Sequence, residues 1–143
     1  LEVKEGAEQI IKRSRFIFMP ENLEYLKKGG RIGGASALIG SLLKIIPILT
    51  VEDGKTMVLT KVRTKKNAIV TMLEKMFVEI KEFGLGEIVV HHINCYNEAK
   101  QLVDKIKEVL NVNIKICDIG PVIGLHVGPG ALGIAYYTQN DMR

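Results

Sequence analysis

The sequence predicts an α/β (α+β) domain of two layers, a mixed sheet of about six strands with helices mainly on one face. Three observations carry this expectation. Segments with strand and helix periodicity alternate along nearly the whole chain, the pattern of a sheet covered by helices. An Asp53-Gly54 pair between two apolar runs marks a strand-to-strand hairpin, which excludes an all-parallel sheet. With 143 residues, 47% hydrophobic and 25% charged, the chain fits one domain with a substantial core.

Residues 3–13 place Val3, Ala7, Ile10 and Ile11 at helical spacing, although Gly6 weakens the pattern. Residues 15–19 (R-F-I-F-M) read as a short strand ended by Pro20. Asn22 is the expected cap of a short helix over L-E-Y-L-K-K, with Leu23 and Leu26 on one side and Gly29-Gly30 as the stop. The segment G-G-R-I-G-G at 29–34 leads into a helix expected over residues 35–43. Residues 47–51 and 56–62 are the strands of the hairpin.

Thr64 is the expected cap of a long amphipathic helix to Phe83, with Ile69, Leu73, Met76, Ile80 and Phe83 inward and Gly84 ending it. Residues 87–93 (E-I-V-V-H-H-I) form a strand, and Asn97 is expected to cap a helix to Leu110. That helix turns Ala99, Leu102, Val103, Ile106 and Leu110 inward. Strands over 113–118 and 131–138 complete the set, and the glycine-rich window 120–133 reads as a shaped turn before the last of them. No internal repeat or low-complexity tract interrupts the chain.

The net charge of +4 suits an anionic partner or a solvated surface, but only 6% of residues are aromatic and tryptophan is absent. Stacking platforms for single-stranded nucleic acid are therefore undersupplied, and no nucleic-acid partner is expected. Cys95 and Cys117 form neither a C-x-x-C pair nor a disulfide framework, which fits a reducing, cytoplasmic setting. The first residues show no signal-peptide pattern, and Leu1 reads as a cut point. Residues 33–51 approach the length of a membrane span, which needs about 20 apolar residues. Central Lys44 and Pro47 favour a buried helix followed by a buried strand, so no span is expected.

The window 120–133 (G-P-V-I-G-L-H-V-G-P-G-A-L-G) holds five of the 14 glycines, and His126 is its only polar side chain. His126 reads either as an anion contact assisted by glycine amides or as part of a tight structural connection. Metal binding is the weakest option, because the nearby sequence offers only Asp118 as a further ligand. Arg31, between two glycine pairs, reads as a fork of donors for an oxyanion or as a surface arginine in a turn. Arg63, in K-V-R-T-K-K where a strand passes into a helix, suits an anion or a solvated basic turn.

His91 and His92 are adjacent on a strand and face opposite ways, so they cannot chelate one ion together, and one should be packed while the other is exposed. No G-x-G-x-x-G, G-x-S-x-G, Walker or paired-carboxylate pattern is present. The residues therefore point to a binding domain, not an enzyme, with no cofactor or metal.

Together, L-E-Y-L-K-K-G-G-R-I-G at 23–33, P-I-L-T-V at 47–51, K-V-R-T at 61–64 and the window 120–133 resemble the DegV family in order and spacing. The resemblance implies the C-terminal domain of a bacterial, cytoplasmic, two-domain fatty-acid-binding protein. Residues 1–15 would be the tail of a connecting helical region, residues 16–143 the domain itself, and the N-terminal domain would be absent.

It further implies a long-chain fatty acid held between the two domains and, in some members, presentation of that acid to a separate ATP-dependent kinase subunit. The family's head-group or phosphate residues fall on His126, Arg31 and Arg63, and the backbone of Gly124, Gly128 and Gly130 would line that wall. Two other readings remain open: an enzyme using His126 as general acid or base with Arg31 on an oxyanion, and a basic regulatory nucleic-acid-binding domain using residues 61–66.

Overall fold

A tight hairpin at one edge and a helical crossover at the other set the order of the sheet. The computed structural model describes residues 2–41 and 44–143. Among these, β1 (Ser14–Met19), β2 (Ile46–Glu52), β3 (Lys55–Val62), β4 (Leu85–His92), β5 (Lys115–Asp118) and β6 (Leu132–Thr138) form one six-stranded sheet in the order β3-β2-β1-β6-β4-β5. At the hairpin, Asp53 and Gly54 both take positive φ, 47° and 72°, as a two-residue turn matched to strand twist requires. Only β4 and β5 pair in parallel, and the helix α4 (Tyr96–Val109) joins them.

The helix α3 (Lys65–Phe83) begins where the Thr64 hydroxyl accepts the Asn67 amide at 3.1 Å and ends at Gly84, φ 82°. Its stripe of Ile69, Leu73, Met76 and Ile80 is buried, joined by Ala68 and Met72. With Leu102 and Ile106 of α4, these side chains cover Ile17, Ile48, Val90 and Ile134 on one sheet face. A smaller cluster of Phe18, Leu26, Ala35, Leu49, Val127 and Ala131 lies on the other face. It is capped by α2 (Glu24–Lys28), a 3-10 segment (Gly33–Leu38) and α5 (Pro121–Val127). The helix α1 (Glu2–Arg13) buries none of its side chains and leaves Val3 87% and Ile11 64% exposed. No described helix is long and apolar enough to cross a membrane.

Several local expectations are corrected. The helix expected over 35–43 is instead the 3-10 segment, which starts earlier, and positions 42 and 43 lie outside the described residues. Gly33 explains the difference: it sits so tightly on β3 that a Cβ would come within 2.4 Å of the Thr56 carbonyl oxygen. Asn97 caps nothing; the chain turns helical at Tyr96 after Cys95, so Asn97 falls inside the first turn. The window 120–133 contains a helix, because Gly120 and Gly128 bound α5 and Pro121 occupies its first turn. The two histidines do face opposite ways: His92 is buried on the α3–α4 face, and His91 is half-buried on the other.

A buried ion pair sits at the edge of the core. Arg15 of β1 bonds Glu79 of α3 (Nη2 to Oε1, 2.9 Å) and Glu52 of β2 (Nη1 to Oε1, 2.8 Å). Glu79 also accepts from the Tyr136 hydroxyl and pairs with Lys75 at 3.1 Å. Burial opposes the Glu79 charge, but the hydrogen bonds from Tyr136 and Lys75 and the charge of Arg15 prevail and hold its pKa below the ordinary 4.5. Burial and the same carboxylate push the Tyr136 hydroxyl well above its usual range.

Because the folded Glu79 value is depressed, its stabilisation is complete above about pH 4.5 and is lost as pH falls through the folded value. Removing one partner of a buried ion pair leaves the other charge stranded. Glu79→Gln is therefore expected to lower stability at pH 7 by about 3–5 kcal/mol. Urea unfolding should show the gap to wild type narrowing at pH 3, and an equal gap at both pH values would contradict this account.

Candidate functional site

The site is built where two short helices meet. Leu26 anchors α2 and Val127 anchors α5 in the smaller core cluster, while the flanking glycines let the helices approach closely. The contact is reciprocal. The His126 ring of α5 lies over Gly29 at the end of α2, where a Cβ would fall 2.2 Å from Nδ1. The Tyr25 ring of α2 lies over Gly128 at the end of α5, where a Cβ would fall 2.5 Å from Cδ2. Gly128 also takes φ 79°, a conformation that side chains resist.

Arg31 joins this group through Gly29. Its amide donates to the Leu26 carbonyl at 2.8 Å, and its exposed guanidinium reaches back toward the Gly29 carbonyl at 3.4 Å. Gly29 thus touches both sequence-predicted residues, His126 above it and Arg31 beside it. The His126 Nδ1 atom is buried and has no hydrogen-bond partner.

The amides of Gly124, Gly128 and Gly130 donate to the carbonyls of Gly120, Gly124 and Ile93 at 2.8, 2.9 and 2.9 Å. These glycines contribute shape to the wall, while their N–H groups are occupied by the fold itself. Arg63 stands apart and exposed, lining a separate cavity of about 380 Å³ with Lys44, Lys65 and Gly130. There Lys65 pairs with Glu21 at 3.0 Å, and that hydrogen bond raises the lysine pKa against the opposing effect of burial. No described contact joins Arg63 to His126 or Arg31.

The sheet face opposite α3 and α4, only partly covered by the short helices, carries a furrow along β6. Ala135 forms its floor, between Phe16 of β1 on one side and Val89 and His91 of β4 on the other, while the neighbouring Gly133 is buried beneath the Phe16 ring. A Cβ on Gly133 would come within 2.7 Å of the Phe16 ring, which stacks on Phe18 at 4.9 Å. Two hollows of about 400 and 390 Å³ share Phe16 and Ala135, and the second is bounded by His91 and by Ile123 of α5. Burial lowers the His91 pKa, keeping this edge of the furrow uncharged at neutral pH. Ile123 and His126 are three residues apart on one face of α5, and Ile123 bounds the second hollow while His126 lines neither of the two.

Tyr25, Phe16 and Ala135 were not singled out from the sequence, and Gly29 and Gly133 were read only as a helix stop and as the end of the glycine-rich window. The furrow did leave a trace there, since residues 132–136 alternate large and small (L-G-I-A-Y). The ring-on-glycine contacts left none, because they join segments about a hundred positions apart.

The fold and site define a two-layer α/β domain with an apolar furrow on one sheet face and, where two short helices meet, a histidine and an arginine brought together at Gly29. The chain belongs to the DegV family: the family described as "Uncharacterised protein, DegV family" matches residues 1–139. A DegV domain-containing protein of Clostridium acetobutylicum is 66% identical over 142 residues, 99% of this chain and 50% of that protein. Among solved structures, a fatty acid binding DegV family protein from Streptococcus agalactiae is 32% identical with a TM-score of 0.83, covering 96% of this chain and 49% of that one. DegV, a fatty acid binding protein from Bacillus subtilis, is 33% identical with a TM-score of 0.78, covering 96% and 49%. The chain spans about half the length of these relatives.

The reciprocal contact can be tested at its ends. Gly128→Ala must hold an unfavourable φ and displace Tyr25, so it is expected to lower stability by about 1–3 kcal/mol. Gly120→Ala meets nothing within 4 Å and should stay within about 0.5 kcal/mol of wild type. Equal effects of the two substitutions in chemical denaturation would rule out the packing argument.

Proposed function

We propose that this chain is one half of a long-chain fatty-acid-binding protein, with the acyl chain along the β6 furrow and the carboxylate at the end marked by His126 and Arg31. The observation that carries the reading is the furrow itself, an apolar strip at Ala135 between Phe16 and Val89 that runs toward α5, the helix that bears His126. Each methylene moved from water to such a surface contributes about 0.8 kcal/mol, so a long tail supplies the driving force. The imidazole supplies direction, because it can donate to an oxyanion, and the guanidinium nearby suits a phosphate. Family membership and the fatty-acid-binding relatives from Streptococcus agalactiae and Bacillus subtilis support the same reading.

On this reading residues 1–15 belong to a connecting helical region, residues 16–143 form the C-terminal domain of a cytoplasmic protein, and an N-terminal domain closes the furrow from the open side. The isolated chain, with half the cleft, would bind fatty acid weakly or not at all. A submicromolar affinity of this chain alone for palmitate would count against the two-sided site. The finer part of the proposal is that the bound acid is presented to a separate ATP-dependent kinase, with Arg31 and the distant Arg63 serving the phosphate or that partner. The family resemblance motivates this part, and the exposure of both arginines is compatible with it.

Native mass spectrometry of a full-length protein containing this chain, purified from a bacterial host, is expected to show a retained C16 or C18 acid. Ala135→Leu, which fills the furrow floor, should remove that mass while leaving the fold intact. An empty wild-type protein would contradict the reading. Arg31→Ala is expected to keep the lipid and reduce phosphoryl transfer to it; lost lipid with normal transfer would reverse the role assigned to Arg31.

A further inference from the structure

We propose that Gly29 is the positioning residue of His126: by closing the Nδ1 edge of the ring, it holds the imidazole with its proton on Nε2 and aims that N–H out of the fold at an anionic head group. The inference rests on the reading above that His126 meets the head group, and it adds how the ring is made ready to do so. Gly29 itself has φ −79° and ψ −2°, ordinary right-handed backbone that any residue adopts. Conformation does not demand a glycine here. Space does, because a Cβ would stand 2.2 Å from His126 Nδ1 and 3.0 Å from Cε1.

The same geometry says which atom faces the nitrogen. The Gly29 hydrogen that a Cβ would replace lies along that direction, so a C–H of the main chain points at Nδ1. Nδ1 is buried and has no hydrogen-bond partner. A proton there would meet a hydrogen atom with no acceptor in reach, whereas a lone pair meets a weakly positive C–H. In the neutral ring the remaining nitrogen then carries the proton. Nε2 becomes a fixed donor, suited to a carboxylate or phosphate oxygen and unsuited to a cation or a metal ion.

Tyr25 restrains this arrangement from the other side. Its ring on Gly128 holds the end of α5, so His126 cannot relieve crowding by a shift of the whole helix. A side chain at position 29 must therefore rotate the imidazole out of its seat. The added Cβ would also stand 3.1 Å from the Tyr25 carbonyl oxygen, which needs to yield by only a few tenths of an ångström, and Leu26 and Val127 still anchor both helices in the core.

Long-range ¹H–¹⁵N correlation of histidine side chains in the ligand-free, full-length protein tests the proposal. In wild type, His126 is expected to show Nδ1 as the unprotonated nitrogen and Nε2 as the protonated one, without averaging. In Gly29→Ala the two shifts should move toward the averaged values of a solvent-exposed histidine, and palmitate affinity should fall at least tenfold. A wild-type spectrum with the proton on Nδ1, or with averaged shifts, overturns the inference, and it needs no variant. An unchanged tautomer in a folded Gly29→Ala protein overturns it as well. The tautomer is read without lipid, so a wild type that binds no palmitate yet shows the Nε2 proton contradicts the proposed function and leaves the positioning role supported.

Discussion

The contact between two aromatic rings and two glycines holds the candidate site together. The helices α2 and α5 contain five and seven residues, and helices so short have no stability of their own in water. Each persists because one buried side chain, Leu26 or Val127, ties it to the sheet and because the other helix fits against it. His126 on Gly29 and Tyr25 on Gly128 are the two halves of that fit. The placement of Arg31 follows from the same contact, since its amide is bound by the Leu26 carbonyl and its guanidinium lies beside Gly29. A cap this small can be precise only if it is closely packed.

The short helices cover only part of the sheet face opposite α3 and α4, and the furrow lies on the part they leave open. On the covered face, large side chains of β1, β4 and β6 meet α3 and α4, with Arg15, Glu79 and Tyr136 bonded among themselves at one end. Along β6 the large residues, Leu132, Ile134 and Tyr136, turn to that face, and Gly133 and Ala135 turn to the other. A central strand with small residues between bulkier neighbours makes a groove without any loop or insertion. Rigid sheet backbone therefore sets the line of the furrow, while the short helices set its end.

Much of the fold was legible because its signals are local. The Asp53-Gly54 turn, the Thr64 cap and the stripe from Ile69 to Ile80 each lie within one element, and the structure contains all three. The glycine-rich window was legible as a place of interest but not as a helix. Its glycines read as turn residues, when Gly120 and Gly128 are in fact the two boundaries of α5. The 3-10 segment was misread for a related reason, since the close approach of Gly33 to Thr56 is invisible until β3 is in place. His126 and Arg31 were paired by resemblance and meet through Gly29, whereas Arg63 lies in another cavity. What the sequence withheld was contact between distant segments, the information that depends on the completed sheet.

The central claim is that an acyl chain follows β6 and ends its carboxylate at His126. A crystal structure of the full-length protein with a terminally brominated long-chain acid would test it most directly. The account predicts an anomalous bromine peak over the furrow, near Ala135 and Phe16, with a carboxylate oxygen within hydrogen-bond distance of His126 Nε2. A bromine peak on the α3–α4 face, or a carboxylate bound at the Arg63 cavity with His126 free, would contradict it.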